Sequence, residues 1–408
     1  MRSLAIAREL SREFDVTLCA GGPVPPDLAI PDAVSLVRLP PIGPDGNGRL
    51  SSLDPALTLE QAWERRRLLL LELYAELRPI AIMVELFPFG RAKFATELEP
   101  LLQAARQEPR GVAVISSVRD LLVTAKPDQE RHDNQAAVRL NSYFDAVIVH
   151  ADDRFARLEE TFRPTVEVNT PVYYSGFVSP GGRLPAAVRR EPPEVLVSAG
   201  GGRDGGLLLT AALGAHLLAL SARGFRTRLV TGPFIPPEQS DELQRAVVAA
   251  RCETLSIERF IPDLAAELLV AAVSVSRGGY NTALDVIRSG VRSIVVPHDG
   301  PHENEQSERA RRLHRLGVLT MLDAEHLNPE RLAETVLNVA AAPAVRPPRL
   351  GLDGARNTAA IVTELVDGLQ LRRRTTRTGR PPEQHEPASC PDSHVAGQLP
   401  DLTPKARK

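Results

Sequence analysis

The chain has 408 residues, of which 43% are hydrophobic and 25% are charged, and its formal net charge is −2. This is ordinary globular composition with room for two domains, and so small a net charge gives no global field that would favour nucleic acid or anionic lipid as a partner. The three cysteines lie far apart without metal-ligand spacing, and we find neither a signal peptide nor a membrane-length apolar run, so we expect a cytoplasmic protein.

Short apolar runs rich in Val and Ile alternate with helical patterns over the first 172 residues. The predicted strands are 14–22, 33–39, 80–86, 112–118, 145–150 and 166–172, and the predicted helices are 57–77, 91–106 and 152–162. Most of these strands are apolar almost throughout, as strands buried on both faces of a parallel sheet are. The alternation therefore predicts a doubly wound α/β domain at 1–172.

A stretch rich in Gly and Pro at 173–193 interrupts this alternation and is typical of an interdomain linker. A second α/β series follows, which predicts another domain at 194–345. Its predicted strands are 194–202, 226–232, 254–260, 273–279 and 293–298, and its predicted helices are 206–222, 240–250, 262–271, 281–289 and 305–316.

The C-terminal region at 346–371 contains one more amphipathic helix, predicted at 354–371. The residues after it, 372–408, have almost no large apolar side chains. Such a segment cannot bury enough surface to offset the entropy of ordering, so we expect a disordered tail.

The segment VSAGGGRDGG has the spacing G-x-G-x-x-G where a predicted strand leads into a helix. A dinucleotide site also needs an acidic residue at the end of the next strand, and the sequence LVTGPF there has none, which disfavours NAD. Bare backbone amides at a helix start still favour a phosphate-like anion, with a tight turn that binds nothing as the alternative. The candidates for contact with the anion are Gly201, Gly202 and Arg203.

A second glycine turn follows the strand predicted before the motif RGGYNTALD. Gly278 and Gly279 let the backbone approach a ligand, and Asn281 or Thr282 is expected to cap the next helix. Asp285, about one turn into that helix, can accept hydrogen bonds from both hydroxyls of a ribose. The alternative is a surface carboxylate near a helix start, which the helix dipole favours by itself.

Two more pairs of residues follow predicted strands of the same domain. Glu305 and Gln306 begin a helix and suit recognition of a polyhydroxylated ring, with a solvated helix turn as the alternative. Phe260 and Ile261 end a strand, where backbone groups can read a flat base edge, with a core aromatic as the alternative. Open α/β sheets bind ligands at the carboxyl ends of their strands. A phosphate cradle, a diol acceptor, a base edge and a sugar reader together indicate a nucleotide sugar.

The segment from Phe260 to Ala310, which contains FIPDL and SRGGYNTALDVIRSGVRSIVVPHDGPHENEQSERA, resembles the C-terminal domain of glycosyltransferase family 28. That family includes the N-acetylglucosaminyltransferase of peptidoglycan lipid synthesis. The resemblance implies the GT-B fold, two Rossmann-like domains with a cleft between them, with 194–345 on the donor side. The first domain, with its stretches ELFPFGR and SVRD, is similar to a bacterial group of predicted glycosyltransferases.

The resemblance implies roles for four residues of the second glycine turn and the helix after it. Gly278, Gly279 and Thr282 correspond to the glycine-rich turn of the family. Asp285 stands where the family usually has a ribose-binding glutamate, so its carboxylate reaches about one methylene less far.

The resemblance also implies which residues contact the base and the sugar of the donor. Phe260 and Ile261 correspond to a pair that contacts uracil in the family. Gln306 corresponds to the second of two glutamines that read the donor sugar, and Glu305 replaces the first. The resemblance thus implies a UDP-sugar donor and inverting transfer to an acceptor hydroxyl, with no cofactor and no metal ion.

The beginning of the sequence departs from the family pattern. Relatives have a strand and a loop of the form G-x-G-H-x-x-R before their first helix, whereas MRSLAIAREL resembles that helix itself. We therefore expect an N-terminal domain without its first strand. A start codon assigned too late is the favoured explanation and a degenerate copy is the alternative, because loss of a central strand leaves two neighbours unpaired.

The sequence identifies neither the catalytic base nor the acceptor. His132, His150, Glu85 and Asp120 all lie near predicted strand ends or loops of the first domain, and no spacing distinguishes one of them. The segment 63–78 combines arginines with leucines, which would suit the inner membrane surface and a lipid-linked acceptor; a core helix with charged ends is the favoured interpretation. A nucleotide-sugar epimerase and a non-catalytic nucleotide-sugar-binding protein are the alternative functions.

Overall fold

The computed structural model describes residues 2–24, 29–45, 49–122, 124, 127–179, 184, 188, 190–202, 204–298, 304–343 and 349–378. Residues 1–369 form one compact unit and the remaining residues form a second. The helices are α1 (Arg2–Leu10), α2 (Leu59–Leu77), α3 (Ala95–Gln107), α4 (Gln129–Tyr143), α5 (Leu158–Thr161), α6 (Gly206–Ala215), α7 (Pro237–Ala250), α8 (Leu264–Val270), α9 (Tyr280–Ser289), α10 (Glu305–Arg315), α11 (Pro329–Ala341) and α12 (Gly354–Thr378).

The strands divide into a first group, before the predicted linker, and a second group after it. They are β1 (Val16–Ala20), β2 (Val34–Arg38), β3 (Ile42–Pro44), β4 (Leu50–Ser52), β5 (Ala81–Glu85), β6 (Ala113–Val118), β7 (Ala146–Val149), β8 (Val172–Tyr174), β9 (Glu194–Ser198), β10 (Arg226–Val230), β11 (Leu255–Glu258), β12 (Val273–Ser276), β13 (Ser293–Val295) and β14 (Thr320–Met321).

The first group forms a four-stranded parallel sheet in the order β5-β6-β7-β8. Every residue of β6 and β7 is buried, which explains why both sequences are apolar almost throughout. A separate parallel pair, β1-β2, and an antiparallel pair, β3-β4, complete this half. Among the described residues β1 and β5 therefore each have a strand neighbour on one side only. That is the arrangement expected of a doubly wound sheet without its central first strand.

The second group forms one six-stranded parallel sheet in the order β11-β10-β9-β12-β13-β14. The chain runs from β9 outward to β11 and then returns to pair β12 with the other side of β9. The strand order thus reverses between β9 and β12, which is the topological switch point of a doubly wound sheet. The core of this half lies between the sheet and helices α6 and α11, where Leu208, Leu209 and Val336 are completely buried.

The C-terminal helix α12 returns to the first sheet. Val362 and Val366 pack with Ile115 and Ile148, and the side-chain amide of Asn357 donates to the backbone oxygen of Ser175. The helix runs to Thr378, seven residues into the segment predicted to be disordered, and residues 379–408 lie outside the described part of the chain. The boundaries of the five predicted segments remain predictions.

Two helices bear on the question of membrane contact. Within the described residues one helical stretch, Gly206–Arg223, is long and apolar enough to cross a membrane, but it carries the buried leucines of the second core. In α2, Leu70 is buried and Leu68 is 45% exposed. Arg66 of the same helix is buried in a two-bonded ion pair with Glu97 of α3, at 2.6 and 2.7 Å. Each helical stretch therefore buries some of its apolar side chains inside the protein and exposes others, such as Leu68 and Leu207.

Candidate functional site

The switch point brings two glycine turns side by side. β9 and β12 pair in register, Val197 with Val275 and Ser198 with Ser276, so both strands end at the same level of the sheet. Neighbouring strands lie about 4.8 Å apart. The turn after β9 and the turn after β12 therefore flank one crevice at the carboxyl edge of the sheet, where such folds bind ligands.

Backbone geometry requires glycine at several positions of the first turn. Gly202 has φ +92°, and a Cβ atom there would lie 2.3 Å from the backbone oxygen of Thr231. Gly205 precedes α6, and a Cβ atom on it would lie 2.3 Å from the Cβ atom of Ala199. Gly201, in contrast, is exposed and a Cβ atom would meet nothing closer than 3.6 Å. Tight packing thus explains two of these glycines without a ligand, and Gly201 faces open space.

The N-terminus of α6 follows directly on this turn. No side chain caps the helix, because Gly205 occupies the capping position. Uncapped amides at a helix start attract an anion. Arg203, the charged candidate in this turn, lies outside the described residues.

The second turn differs from the sequence prediction in how α9 begins. The helix starts at Tyr280 with Gly279 in the capping position and no side-chain cap, so neither Asn281 nor Thr282 caps it, and that prediction is wrong. Asn281 is exposed and Thr282 is half-buried inside the first turn. The start of α9 consequently leaves its amides as free of side-chain caps as the start of α6 does.

Gly278 and Gly279 have different surroundings. A Cβ atom on Gly278 would lie 2.9 Å from the backbone oxygen of Gln306, so this glycine allows the turn to pack against the start of α10. A Cβ atom on Gly279 would meet nothing within 4 Å. The first glycine is needed for packing, and the second leaves space beside the backbone.

Arg277 joins the two turns, and sequence reasoning missed it. Its guanidinium donates to the backbone oxygen of Asp204, at 2.9 Å, and to that of Val296, at 3.3 Å. The side chain is buried, and this burial lowers the pKa of Arg277 although Asp204 acts in the opposite direction. A charged residue at the end of the completely buried strand β12 was the available signal.

Asp285 is a partly buried carboxylate with a weak partner. Its side chain is 23% exposed, and the nearest cation, Arg288, is 3.5 Å away. Burial raises the pKa of Asp285 to about 6; Arg288 lowers it and Asp263 adds to the increase. A carboxylate of this kind has unused acceptor capacity, which a diol can satisfy.

The predicted base-reading pair divides into one exposed and one buried side chain. Phe260 is 63% exposed, which excludes the alternative of a core aromatic, whereas Ile261 is buried with Leu268 and Val286. Contact with Val286 of α9 places this segment beside the helix that carries Asp285. The two residues can offer backbone groups and one exposed ring near the second glycine turn.

The start of α10 supplies the remaining predicted residues. The side-chain oxygen of Gln306 accepts a hydrogen bond of 3.4 Å from the backbone of His298. Glu305 forms a very short ion pair with Arg309 one turn later and lies 4.0 Å from Arg119 of the first domain. Asn304 donates to the hydroxyl of Thr124, at 2.8 Å, so the loop before α10 also contacts the first domain.

A buried ion pair connects the two domains at this point. Arg309 donates from Nε and Nη2 to the two carboxylate oxygens of Asp120, at 2.6 and 3.0 Å. The two side chains are 2% and 0% exposed. Burial lowers the pKa of Arg309, and the carboxylates of Asp120 and Glu305 outweigh it and raise the pKa above its ordinary range.

The four candidate bases of the first domain differ in their partners and their burial. Asp120 is committed to Arg309, and Glu85 is held by Arg2, at 3.0 Å, and by the hydroxyl of Ser3. Burial raises and Arg2 and Ser3 lower the pKa of Glu85, with a net decrease.

The two histidines differ from each other in exposure. His150 is completely buried between the hydroxyls of Ser117 and Ser175, at 2.8 and 2.9 Å, and burial lowers its pKa to about 3. It is a neutral core histidine and cannot reach a substrate. His132 is exposed on α4.

A surface cavity lies away from the switch point. It measures about 780 Å³ and lies on α4 with part of α3, where its lining includes Glu99, Arg131 and Tyr143. It is an open surface depression that includes the start of α4, at Asp128 and Glu130, and none of its lining residues is a glycine. Among the described residues no group of three or more His, Cys, Asp or Glu side chains is placed to hold a metal ion.

Comparison with known proteins agrees with this geometry. Residues 216–348 match the family model described as the glycosyltransferase family 28 C-terminal domain. The matched residues make up most of the second domain and about a third of the chain. The match covers the strands from β10 to β14, and so includes the second glycine turn, Asp285 and the start of α10.

One curated relative is a UDP-N-acetylglucosamine--N-acetylmuramyl-(pentapeptide) pyrophosphoryl-undecaprenol N-acetylglucosamine transferase from Xanthomonas axonopodis pv. citri (strain 306). It is 31% identical over 158 residues, which is 39% of this chain and 35% of the relative. A second, from Corynebacterium efficiens, is 29% identical over 164 residues, or 41% of its length. The chain therefore matches well under half of the length of these relatives.

Solved structures extend the likeness to the whole fold. The structure of MurG from Acinetobacter baumannii superposes with a TM-score of 0.54 at 18% identity, over 90% of this chain and 95% of that chain. UGT89C1 from Arabidopsis thaliana gives 0.56 at 15% identity, over 90% and 96%. These similarities confirm the predicted GT-B fold, with two Rossmann-like domains.

Proposed function

We propose that this protein is a glycosyltransferase that moves a sugar from a UDP-sugar donor to an acceptor hydroxyl with inversion at the anomeric carbon. The observation that carries the proposal is the pairing of two uncapped glycine turns at the switch point between β9 and β12, with Asp285 on the helix that the second turn begins. The name of the Xanthomonas relative specifies a UDP-linked donor for that protein, and the family match falls on this half of the chain.

Each part of the donor has a group that suits it. The amides at the starts of α6 and α9 would bind the pyrophosphate, because their partial positive charge is free of side-chain caps. The Asp285 carboxylate would accept from the ribose hydroxyls, and the segment at Phe260 and Ile261 would contact the base. Glu305 and Gln306 would bind the sugar.

In the reaction, the acceptor oxygen forms a bond to the anomeric carbon as the bond between that carbon and the pyrophosphate oxygen breaks. The acceptor proton goes to a base, and the leaving UDP carries the bonding electron pair. Charge develops on the pyrophosphate as it leaves, so the same amides would stabilise the transition state more than the bound donor. None of the four candidate bases is proposed for proton transfer.

The chemical class of the acceptor does not follow from the donor site. The family match covers the second domain, so it supports the donor side of the reaction and not the acceptor side. The Xanthomonas relative acts on an undecaprenol-linked acceptor by its name. We propose a lipid-linked acceptor for this protein on that ground, and we assign no residue to its contact.

The test has a binding arm and a turnover arm. Isothermal titration should detect UDP binding to the wild-type protein and a loss of about 1–3 kcal/mol in Asp285→Ala, because hydrogen bonds to a charged group are lost. Incubation with a panel of UDP-sugars and hydroxyl acceptors should release UDP only when an acceptor is present.

Two outcomes would refute the proposal. A protein that binds no UDP has no such donor site. A protein that binds UDP-sugars, releases no UDP with any acceptor and leaves the sugar unchanged is a binding protein, whereas a change of sugar stereochemistry without acceptor would mark an epimerase.

A further inference from the structure

Arg309 is an almost completely buried cation near the proposed donor site. It lies on α10, one helical turn after Glu305, and four of its five N–H groups have acceptors on the protein. Nε and Nη2 bind Asp120, Nη2 also binds Glu305, and Nη1 donates to the backbone oxygen of Gly278 at 2.9 Å. The face of the guanidinium lies 5.6 Å from the ring centre of Tyr280.

These contacts connect three separate parts of the chain. Asp120 follows β6 of the first domain, Gly278 forms the second glycine turn, and Glu305 begins α10. A planar guanidinium can bind all three at once because its donors point in fixed directions. A lysine, with three donors on a single nitrogen, cannot reproduce the four hydrogen bonds that Arg309 donates from three nitrogens.

We propose that Arg309 is a positioning residue that holds the Glu305 carboxylate towards the donor sugar, and that Asp120 of the first domain fixes Arg309 in place. One oxygen of Glu305 binds Arg309, which leaves acceptor capacity on the carboxylate for a sugar hydroxyl. The inference rests on the proposed function and names a residue that acts on the sugar half of the donor rather than on the nucleotide.

The charge balance supports this role. Arg309 is a single cation between the carboxylates of Asp120 and Glu305, and Arg119 lies 4.0 Å from Glu305. Removal of Arg309 would leave the buried Asp120 carboxylate without its cation, with the backbone N–H of Leu121 as its remaining donor at 3.0 Å, and would free Glu305 to turn towards solvent. The buried pair thus couples the first domain to a residue of the proposed sugar pocket.

The experiment compares two ligands that differ only in the sugar. Isothermal titration with UDP and with the tightest-binding member of a UDP-sugar panel is performed on wild type, Arg309→Lys and Asp120→Asn. Arg309→Lys should weaken UDP-sugar binding about tenfold, because a charge-assisted hydrogen bond loses its geometry, and should change UDP binding less than twofold. Asp120→Asn should act in the same direction with a smaller effect.

A double-mutant cycle separates positioning from general stability. If Arg309 acts through Glu305, Arg309→Lys made in a Glu305→Ala background should cause no further loss of UDP-sugar affinity. Arg311→Lys is the matched control, because Arg311 is on the same helix, is 53% exposed and pairs with Glu308. It should leave both affinities unchanged.

Each other result counts against the inference. Equal losses for UDP and UDP-sugar would show a structural role, and unchanged UDP-sugar binding in both single variants would show no role. A further loss in the Glu305→Ala background would show that Arg309 acts by another route. If one variant fails to fold, the other carries the same comparison. A wild-type protein that binds neither ligand would refute the proposed function, and this inference with it.

Discussion

Replacement of Asp285 by asparagine should have opposite effects on stability and on nucleotide binding. Burial raises the pKa of this carboxyl group from 3.8 to about 6, while Arg288 at 3.5 Å only partly compensates. A shift of this size, about 2.2 pKa units, corresponds to about 3 kcal/mol at 1.36 kcal/mol per unit. The folded protein therefore holds an ionised Asp285 at neutral pH at the expense of its own stability.

The sign of the pH dependence follows from proton linkage. Between pH 3.8 and pH 6 the folded state binds more protons at this site than the unfolded state, so the free energy of unfolding falls as the pH rises. The cost is absent below pH 3.8, reaches about 1.6 kcal/mol at pH 5 and about 3 kcal/mol above pH 7. Asp285→Asn removes the charge, so it should stabilise the protein at pH 7.5 by up to about 3 kcal/mol and have little effect at pH 4.

The assay is urea unfolding of wild type and Asp285→Asn at both pH values, with UDP titration on the same samples. Groups other than Asp285 titrate in this range, and the difference between the two proteins cancels them. UDP affinity should fall about tenfold from pH 7 to pH 5 in excess of the change in the variant, because only about a tenth of the carboxylate is then ionised. The comparison also cancels the titration of the UDP phosphate, whose second pKa lies near 6.

Asp241→Asn is the control for both measurements, because Asp241 is an exposed acid on α7 of the same domain. It should change stability by less than about 0.5 kcal/mol. The reasoning fails if Asp285→Asn is less stable than wild type at pH 7.5. It also fails if UDP affinity has the same pH dependence in both proteins.

Five further substitutions test the turns and the buried histidine. Gly202→Ala should lower the free energy of unfolding by at least about 2 kcal/mol in urea unfolding, because Gly202 has φ +92° and a Cβ atom there would lie 2.3 Å from a backbone oxygen. Gly201→Ala should lower it by less than about 0.5 kcal/mol. Equal effects of the two substitutions would contradict the assigned geometry. Gly279→Ala should weaken UDP binding with little loss of stability, whereas Gly278→Ala should lower both UDP affinity and stability, because its Cβ atom would lie 2.9 Å from a backbone oxygen. Unchanged UDP affinity in Gly279→Ala would argue against an approach of the ligand to the backbone at that position. Burial lowers the pKa of His150 from 6.5 to about 3, so between these two pH values the unfolded chain binds a proton at this site and the folded chain does not. The wild-type protein should therefore lose about 2 kcal/mol of stability from pH 7.5 to pH 5 through this group, and His150→Gln should not. An equal loss in the variant would refute the assignment.

The second domain could be largely predicted from the sequence. Its five predicted strands all occur as β9 to β13, and α9 and α10 begin within one residue of the expected positions. The reason is that buried parallel strands are continuous apolar runs, bounded here by glycine turns that local sequence reveals. The two-residue strand β14 and the helix α11 were not predicted, because neither has a strong pattern of its own.

The elements of the first domain were predicted less accurately from the sequence. The strand predicted at 166–172 ends where the observed β8 begins, at Val172, and the helix predicted at 152–162 is the single turn α5. Helix α4 was not predicted, because polar residues and alanines give it little apolar periodicity. In the structure β1 and β2 form a pair that is separate from the sheet of β5 to β8.

The sequence by itself determined the strands β9 to β13, the glycine turns and the residue types at their ends, because these depend on neighbours within a few positions along the chain. Tertiary structure alone decided which ends meet. Asp120 and Arg309 are 189 positions apart, and nothing local shows that they form a buried pair or that His150 is closed off from solvent. Burial and long-range pairing set the charge state of these groups, and only the packing of both domains fixes them.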